Sequence, residues 1–245
     1  MTIAGFALWQ VAIALAATLA SAFVRGLAGF GMAILLVPVL ALALQPVEAV
    51  LAANLLGVLV GLTELRWTWR VAEASARRIS LVIALTTLPG MALLAATPAA
   101  LARLLIALVA VSAFAVMFLP RRAATGHGTA ATLGVGAASG LLTGFAGMPG
   151  PPVVPYYVGR AIPREVAKAS MVLIFTFAGC IGLLSGALLG KLEGAVILLA
   201  LGLFPAVLLG NWLGKRVSGR VGDGAWRVFA ALVLGAAALA ALLKL

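Results

Sequence analysis

The sequence predicts an all-α polytopic membrane protein from three observations: the composition, the length of the apolar runs and the placement of the basic residues. Of the 245 residues, 64% are hydrophobic and only 9% are charged, and the mean hydropathy is +1.23. A soluble domain carries about 25% charged residues, so most of this surface must face lipid. Apolar runs long enough to span a bilayer recur along the chain. Short basic clusters separate these runs, as in cytoplasmic loops.

The composition also narrows the classes of function. The net charge of +11 lies mainly in loops between apolar runs, which disfavours a nucleic-acid partner and favours contact with the headgroups of membrane lipid. Cys180 and His127 are the single cysteine and histidine, too few for a disulfide or a metal site. There is no nucleotide-binding loop, HExxH motif or buried serine–histidine pair. The sequence therefore predicts no enzyme, no catalytic or metal-ligating residues and no cofactor.

Ten apolar segments are predicted, and most have the length of an ordinary membrane span. Two of them, 28–44 and 149–160, are short and broken by Gly and Pro, which is consistent with either re-entrant pieces or short tilted spans. The ten segments are 4–24, 28–44, 47–64, 79–97, 101–119, 130–147, 149–160, 164–188, 194–213 and 225–243.

The orientation in the membrane follows from three basic loops, which the positive-inside rule places in the cytoplasm. Both termini are then expected on the outer face, with 47–64 running inward and 164–188 running outward. The loop cations are Arg66, Arg70, Arg77, Arg78, Arg121, Arg122, Lys215, Arg216 and Arg220.

The chain contains an internal repeat with an offset of 117 residues. In each copy two prolines and a glutamate precede an apolar helix, and a Gly-rich stretch comes before them. Because the matching helices run in opposite directions, the sequence predicts two inverted repeats of about five segments each, 1–120 and 130–245, joined by a cytoplasmic linker at 121–129. The paired residues are Pro38, Pro46 and Glu48 in the first copy and Pro155, Pro163 and Glu165 in the second.

The two Gly/Pro stretches are the candidate functional site. Breaks of this kind at corresponding positions in inverted repeats mark transporter substrate sites, and the N-terminus of a half-helix suits an anion. Small residues that only let helices pack are the alternative. The candidate substrate-binding residues are Arg25, Gly29, Phe30, Gly31, Asn54, Gly147, Met148, Pro149, Gly150 and Ser170.

Several polar residues have two interpretations at this point. Arg25 either faces a cavity or ends its helix at the cytoplasmic boundary. Asn54 and Ser170 either line a pore or form interhelical hydrogen bonds. Glu48 and its counterpart Glu165 fit a helix-start role, because an acid in the first turn complements the helix dipole. Trp67 and Trp69, between basic residues, fit interfacial anchors.

In each half a Gly-rich stretch, a later Pro and a Pro-x-Glu step lead into a helix of small residues. This doubled pattern resembles the TauE/SafE sulfite exporter family, also called the toluene sulfonate uptake permeases. The resemblance implies transport, mostly export, of sulfite, organosulfonates or related small organic anions across a bacterial inner membrane. The residues that carry it are Gly29-Phe30-Gly31, Pro38, Pro46-Val47-Glu48-Ala49, Gly147-Met148-Pro149-Gly150, Pro155 and Pro163-Arg164-Glu165-Val166.

The function expected from the repeats and the resemblance is secondary transport of a small organic or sulfur-containing anion by alternating access. A channel or a carrier for another small solute is the alternative, and a scaffold is a third. The lack of buried acidic residues outside helix starts argues against a cation substrate. A homo-oligomer is compatible with the sequence, which does not define the oligomeric state.

Overall fold

The computed structural model describes residues 2–3, 5–116, 128–218 and 223–243, and within these ranges the chain is almost entirely helical. The predicted all-α membrane fold is confirmed. A minimal antiparallel hairpin, β1 (Thr2–Ile3) and β2 (Phe6–Ala7), precedes the helices. His127 and three of the basic loop residues, Arg121, Arg122 and Arg220, lie outside the described ranges. The helices are α1 (Leu8–Ala28), α2 (Met32–Ala43), α3 (Pro46–Thr63), α4 (Leu65–Val71), α5 (Ala74–Ala96), α6 (Ala99–Val116), α7 (Thr129–Ala146), α8 (Gly150–Val158), α9 (Arg164–Leu188), α10 (Gly194–Val217) and α11 (Asp223–Leu242).

Seven helices of the described part are long and apolar enough to cross a membrane: α1, α3, α5, α6, α7, α9 and α10. Every predicted segment has a helix at its position, but the bounds 4–24 are wrong. The first helix runs from Leu8 to Ala28, because a lone arginine and a glycine do not stop a helix whose face is covered by a neighbour. Arg25 therefore lies inside α1 rather than after it.

The two Gly/Pro-broken segments form half-helices. α2 has 12 residues and α8 has 9, which at 1.5 Å per residue gives lengths of about 18 and 14 Å. A bilayer core is about 30 Å thick, so neither helix crosses it alone. Prolines 38 and 155 lie inside these helices. The hydrophobic core surrounds α2, whose residues are mostly buried.

The short helix α4 was not predicted, and it carries the expected aromatic anchors. Trp69 is exposed, and the guanidinium carbon of Arg77 lies 5.3 Å from its ring centroid. Lys168 lies 5.5 Å from the ring centroid of Trp67. The Trp and basic residues of this region thus form cation–π pairs between α4 and its neighbours.

Helices α3 and α9 pack against each other in antiparallel directions. Gly61, near the end of α3, has no room for a side chain because Thr176 occupies the space, and Gly179 lies against the backbone carbonyl of Asn54. Residues later in α3 contact residues earlier in α9. Small residues at these positions let the two backbones approach closely.

Two further pairs pack in parallel through glycines. In the first pair, Gly210 of α10 lies against Leu19 of α1, and Gly214, four residues later on α10, lies against Phe23, four residues later on α1. Gly26 also lies against Asn211 and Gly214. In the second pair, α7 packs on α5 in the same manner. The glycines of α7 in this contact are Gly136, Gly140 and Gly144. The packing interpretation therefore holds for Gly26, Gly140 and Gly144, which are not part of the breaks.

Candidate functional site

The two helix breaks open onto one cavity. The first break joins α1 to α2 and the second joins α7 to α8, and both line a space of about 90 Å³. A single water needs roughly 10–15 Å³ of such space, so the cavity has room for one small polyatomic anion or several waters. Nine of the ten predicted site residues line it, namely Arg25, Gly29, Phe30, Gly31, Asn54, Gly147, Met148, Pro149 and Gly150.

Glycine is required at the breaks by backbone conformation. Gly29, Gly31 and Gly147 have φ angles of 85°, 95° and 64°, in the left-handed region that side chains other than glycine rarely adopt. No atom lies within 4 Å of a Cβ built at Gly29 or Gly31. Space is therefore free there, and a side chain at either position would project into the cavity region.

Arg25 supplies the charge of the cavity and is the one charged residue among the described residues that line it. Its side chain is 12% exposed. Its Nη1 donates a hydrogen bond of 3.1 Å to Oδ1 of Asn211 on α10, and its Nη2 lies 3.8 Å from Oε1 of Glu64. These contacts hold the guanidinium at the first break, so the cavity interpretation of Arg25 agrees with its position.

Glu64, a half-buried acid at the end of α3, was missed at the sequence level. Its side chain is 18% exposed, and Oε1 also lies 3.9 Å from Nζ of Lys215. Two cations thus surround one carboxylate, and the cluster keeps a net charge of +1. The sequence shows Glu64 only as an acid at the end of an apolar run. Its role is not visible there, because its partners come from α1 and α10.

Asn54 and Ser170 have different environments. Asn54 is 4% exposed and lines the cavity, and its Nδ2 has no hydrogen-bond partner among the described residues. Ser170 does not line the cavity. Its Oγ accepts a hydrogen bond of 2.9 Å from the backbone N–H of Glu73, as the interhelical alternative predicts. The Nδ2 group of Asn54 lies against Gly182 in the contact between α3 and α9, where an unsatisfied buried amide is costly.

The rest of the wall comes from the first turn of α2, from α8 and from the crossing of α3 and α9, and it is mostly apolar or small. Sequence reasoning missed these residues, although small residues spaced three or four apart on one face of α3 are a signal that could have found them. The additional lining residues are Met32, Ala33, Ile34, Ala53, Gly57, Val60, Gly61, Val154, Val172, Phe175, Thr176 and Gly179.

A polar network fixes the C-terminal end of α8 to α5. Nη1 of Arg160 lies 2.6 Å from Oε2 of Glu73, and the hydroxyls of Tyr157 and Ser75 are 2.7 Å apart. Because these contacts lie at the far end of the half-helix, they anchor it and leave its N-terminus at the cavity.

Glu48 behaves as predicted for an acid at a helix start. Its Oε2 accepts a hydrogen bond of 2.9 Å from the backbone N–H of Gln45, the residue that caps α3. Its counterpart Glu165 lies in the first turn of α9. Over the described ranges, no three side chains of His, Cys, Asp or Glu lie close enough together to hold a metal ion.

Membrane-length helices, two paired helix breaks and a largely enclosed arginine in the cavity that they share are typical of a polytopic membrane transport protein. The chain belongs to the sulfite exporter TauE/SafE family, whose model matches residues 13–241. Members of this family are transporters, so the prediction of a transporter rather than an enzyme is confirmed. A curated relative, described as a probable sulfite/organosulfonate exporter TauE of Cupriavidus necator, is 28% identical over 207 residues, which cover 80% of each chain. The search of solved structures found no significant match.

Proposed function

We propose that this protein is a secondary carrier that exports a small sulfur-containing anion, such as sulfite or an organosulfonate, across a bacterial inner membrane by alternating access. One observation carries the proposal: the two helix breaks share a single cavity, and a buried arginine lies in its wall. The name of the family and that of the Cupriavidus relative support the substrate class.

The cavity suits a small organic anion in size and in charge. Its volume of about 90 Å³ and its one cationic residue, Arg25, fit a single charged group. The walls are largely apolar and include Phe30 of the first break and Phe175 of α9, which suits the carbon part of a sulfonate. The cluster of Arg25, Lys215 and Glu64 has a surplus positive charge. The carboxylate of Glu64 therefore does not make the cavity suitable for a cationic substrate.

The packing supports two inverted repeats, 1–120 and 130–245, with a linker at 121–129. If α1, α2, α3, α5 and α6 correspond to α7–α11 in order, the parallel contact of α1 with α10 has its counterpart in the parallel contact of α7 with α5. The antiparallel contact of α3 with α9 is its own counterpart. Alternating access in such folds consists of one repeat rocking against the other around a central site.

Export of an anion needs no nucleotide. With a negative cell interior, a membrane potential of 100 mV drives one negative charge outward by about 2.3 kcal/mol. A uniporter or a proton-coupled carrier can therefore perform the transport. A homo-oligomer remains a prediction.

The first test is ligand binding by the purified protein, followed by flux. Sulfite, isethionate, sulfoacetate, taurine and carboxylate analogues are screened by thermal shift in detergent, where a binder at one hundred times its Kd stabilises the fold by about 2.7 kcal/mol. We expect a shift with sulfite or sulfonates and efflux of the same anion from proteoliposomes. Stabilisation by another class of solute without any anion effect would favour the alternative, a channel or carrier for that solute.

A further inference from the structure

The short helix α4 has three distinct faces. Thr68 is buried on the face where α4 packs on α9. Leu65 and Trp69 lie one turn apart and are exposed. Arg66 and Arg70, also one turn apart, form a second exposed row beside them. The helix therefore presents an apolar row next to a basic row, while its third face packs on the protein.

The basic row of α4 has no acidic partner. Arg77 of α5 joins it, because its guanidinium carbon lies 5.3 Å from the ring centroid of Trp69. Among the described residues, neither Arg77 nor the two arginines of α4 form an ion pair. The single acid within 65–96 is Glu73, and its carboxylate pairs with Arg160. Three guanidinium groups thus surround one exposed indole ring without a neutralising carboxylate.

The acids of the neighbouring helices do not neutralise this surface either. Glu64 directly precedes α4, but its Oε1 lies 3.8 Å from Nη2 of Arg25 and 3.9 Å from Nζ of Lys215. On α9, the exposed Glu165 follows the exposed Arg164, so the first turn of that helix adds no net negative charge. The region around α4 therefore keeps a surplus of positive charge.

The position of α4 in the chain puts it at the boundary of the membrane. It lies between α3 and α5, and both of these helices are long and apolar enough to span a bilayer. Tryptophan is enriched at the level of the headgroups, and clustered arginines indicate the cytoplasmic side. The apolar row is then expected to face the acyl chains and the basic row to face the headgroups, as in interfacial helices that bind anionic lipids.

We propose that this surface binds an anionic phospholipid of the cytoplasmic leaflet, with its phosphate at the guanidinium groups and its acyl chains against the apolar row. Guanidinium groups donate paired hydrogen bonds to a phosphate. A soluble anion would leave the exposed indole and leucine uncovered, whereas a lipid covers both rows. The inference goes beyond the proposed function and does not depend on which anion is transported. The residues of this lipid surface are Leu65, Arg66, Trp69, Arg70 and Arg77.

The test compares two lipids with the same acyl chains, anionic phosphatidylglycerol and zwitterionic phosphatidylcholine. Their binding to the purified full-length protein is measured by native mass spectrometry. We expect the wild type to prefer phosphatidylglycerol. Arg66→Gln combined with Arg70→Gln is expected to weaken the tightest phosphatidylglycerol binding about 25-fold, since each basic residue near an anionic surface strengthens binding about fivefold. Binding of phosphatidylcholine should not change.

Two matched variants separate the role of this surface from charge elsewhere. Arg66→Lys combined with Arg70→Lys keeps the charge and should retain the preference for phosphatidylglycerol. Lys191→Gln removes an exposed cation between α9 and α10 and should leave the preference unchanged. If the double glutamine variant does not fold, Arg77→Gln decides the question, with an expected weakening of about fivefold.

Three outcomes would overturn the proposal. The first is a wild type that binds both lipids equally. The second is a folded glutamine variant that binds phosphatidylglycerol as tightly as the wild type does, or a Lys191→Gln variant that weakens its binding equally. The third is competition by glycerol phosphate, the soluble headgroup, at the same concentration as the intact lipid, which would show a site for a soluble anion instead.

Discussion

Gly29 shows at the scale of one residue how the backbone shapes the cavity. Its φ of 85° lies in the left-handed region, and no atom occupies the place of a Cβ. A β-branched residue is strained in that conformation by about 1–2 kcal/mol, but it does not collide with a neighbour. A substitution at Gly29 is therefore expected to affect the space available to a ligand and to leave the packing of the helices unchanged.

Gly29→Val is expected to leave the protein inserted and folded while anion binding and efflux are lost, because the side chain projects into the cavity. Thermal stability, sulfite binding and flux from proteoliposomes are measured together. Gly202→Val on α10 is the control, since Gly202 also has open space around it and lies away from the cavity. Normal efflux by Gly29→Val would remove the first break from the site.

Glu64 is the second residue with a defined electrostatic role. Its carboxylate lies 3.8 Å from the guanidinium of Arg25 and competes with any anion for that charge. Glu64→Gln is expected to tighten sulfite binding a few-fold and to lower the free energy of unfolding by about 1 kcal/mol, the upper range for a partly exposed ion pair. Glu165→Gln, at an exposed acid in the first turn of α9, is expected to leave sulfite binding unchanged. Weaker binding in Glu64→Gln would instead mean that Glu64 positions Arg25.

At the scale of elements, the fold depends on close helix pairs built on glycine. A Cβ at Gly144 of α7 would overlap the backbone carbonyl of Thr87 on α5, whereas Gly134 on the same helix faces open space. Backbone atoms cannot rotate out of the way as a side chain can. The same residue type is therefore indispensable at Gly144 and replaceable at Gly134, about 2.8 turns earlier on α7.

Gly144→Leu is expected to separate α7 from α5 and to reduce the yield of folded protein or its melting temperature severely, because overpacking of a tight contact costs about 1–3 kcal/mol or more. Gly134→Leu is the matched variant on the same helix and should change the melting temperature little. The measurement is size-exclusion homogeneity together with thermal unfolding in detergent. Equal stability of the two variants would contradict the packing described for α5 and α7.

At the scale of the whole molecule, the direction in which each helix crosses the membrane determines on which face its loops lie. The parallel and antiparallel helix contacts fix how the helices run relative to one another, and the basic loops fix which face is cytoplasmic. Together they predict that α4 lies on the cytoplasmic face and that the connection between α9 and α10 lies on the outer face.

Two engineered cysteines test this topology in a Cys180→Ala background, which removes the single native cysteine. A membrane-impermeant maleimide added to intact cells is expected to label Lys191→Cys and not Arg70→Cys, both of which replace exposed residues. Lysed cells, in which both are accessible, are the control. Labelling of both positions on intact cells would refute the inverted arrangement of the two repeats, whereas labelling of Arg70→Cys alone would reverse the predicted orientation.

The sequence by itself determined the membrane class, the positions of the helices and the two breaks. These features are local, because apolar length, proline and glycine act on the segment that contains them. Nine of the ten predicted site residues line one cavity, because the local breaks select them, although helix packing brings the two breaks together. The ends of α1 and the existence of α4 were not predictable in this way, since neighbouring helices stabilise them.

Only the tertiary structure decided which residues meet. Arg25 and Asn211 are 186 positions apart in sequence and form a hydrogen bond, and Glu64 acquires its role from cations on two other helices. Ser170, which has the same polar character as Asn54, turns to the backbone of Glu73 instead. A contact between distant segments depends on the rotation and offset of packed helices, and local sequence patterns do not encode these quantities.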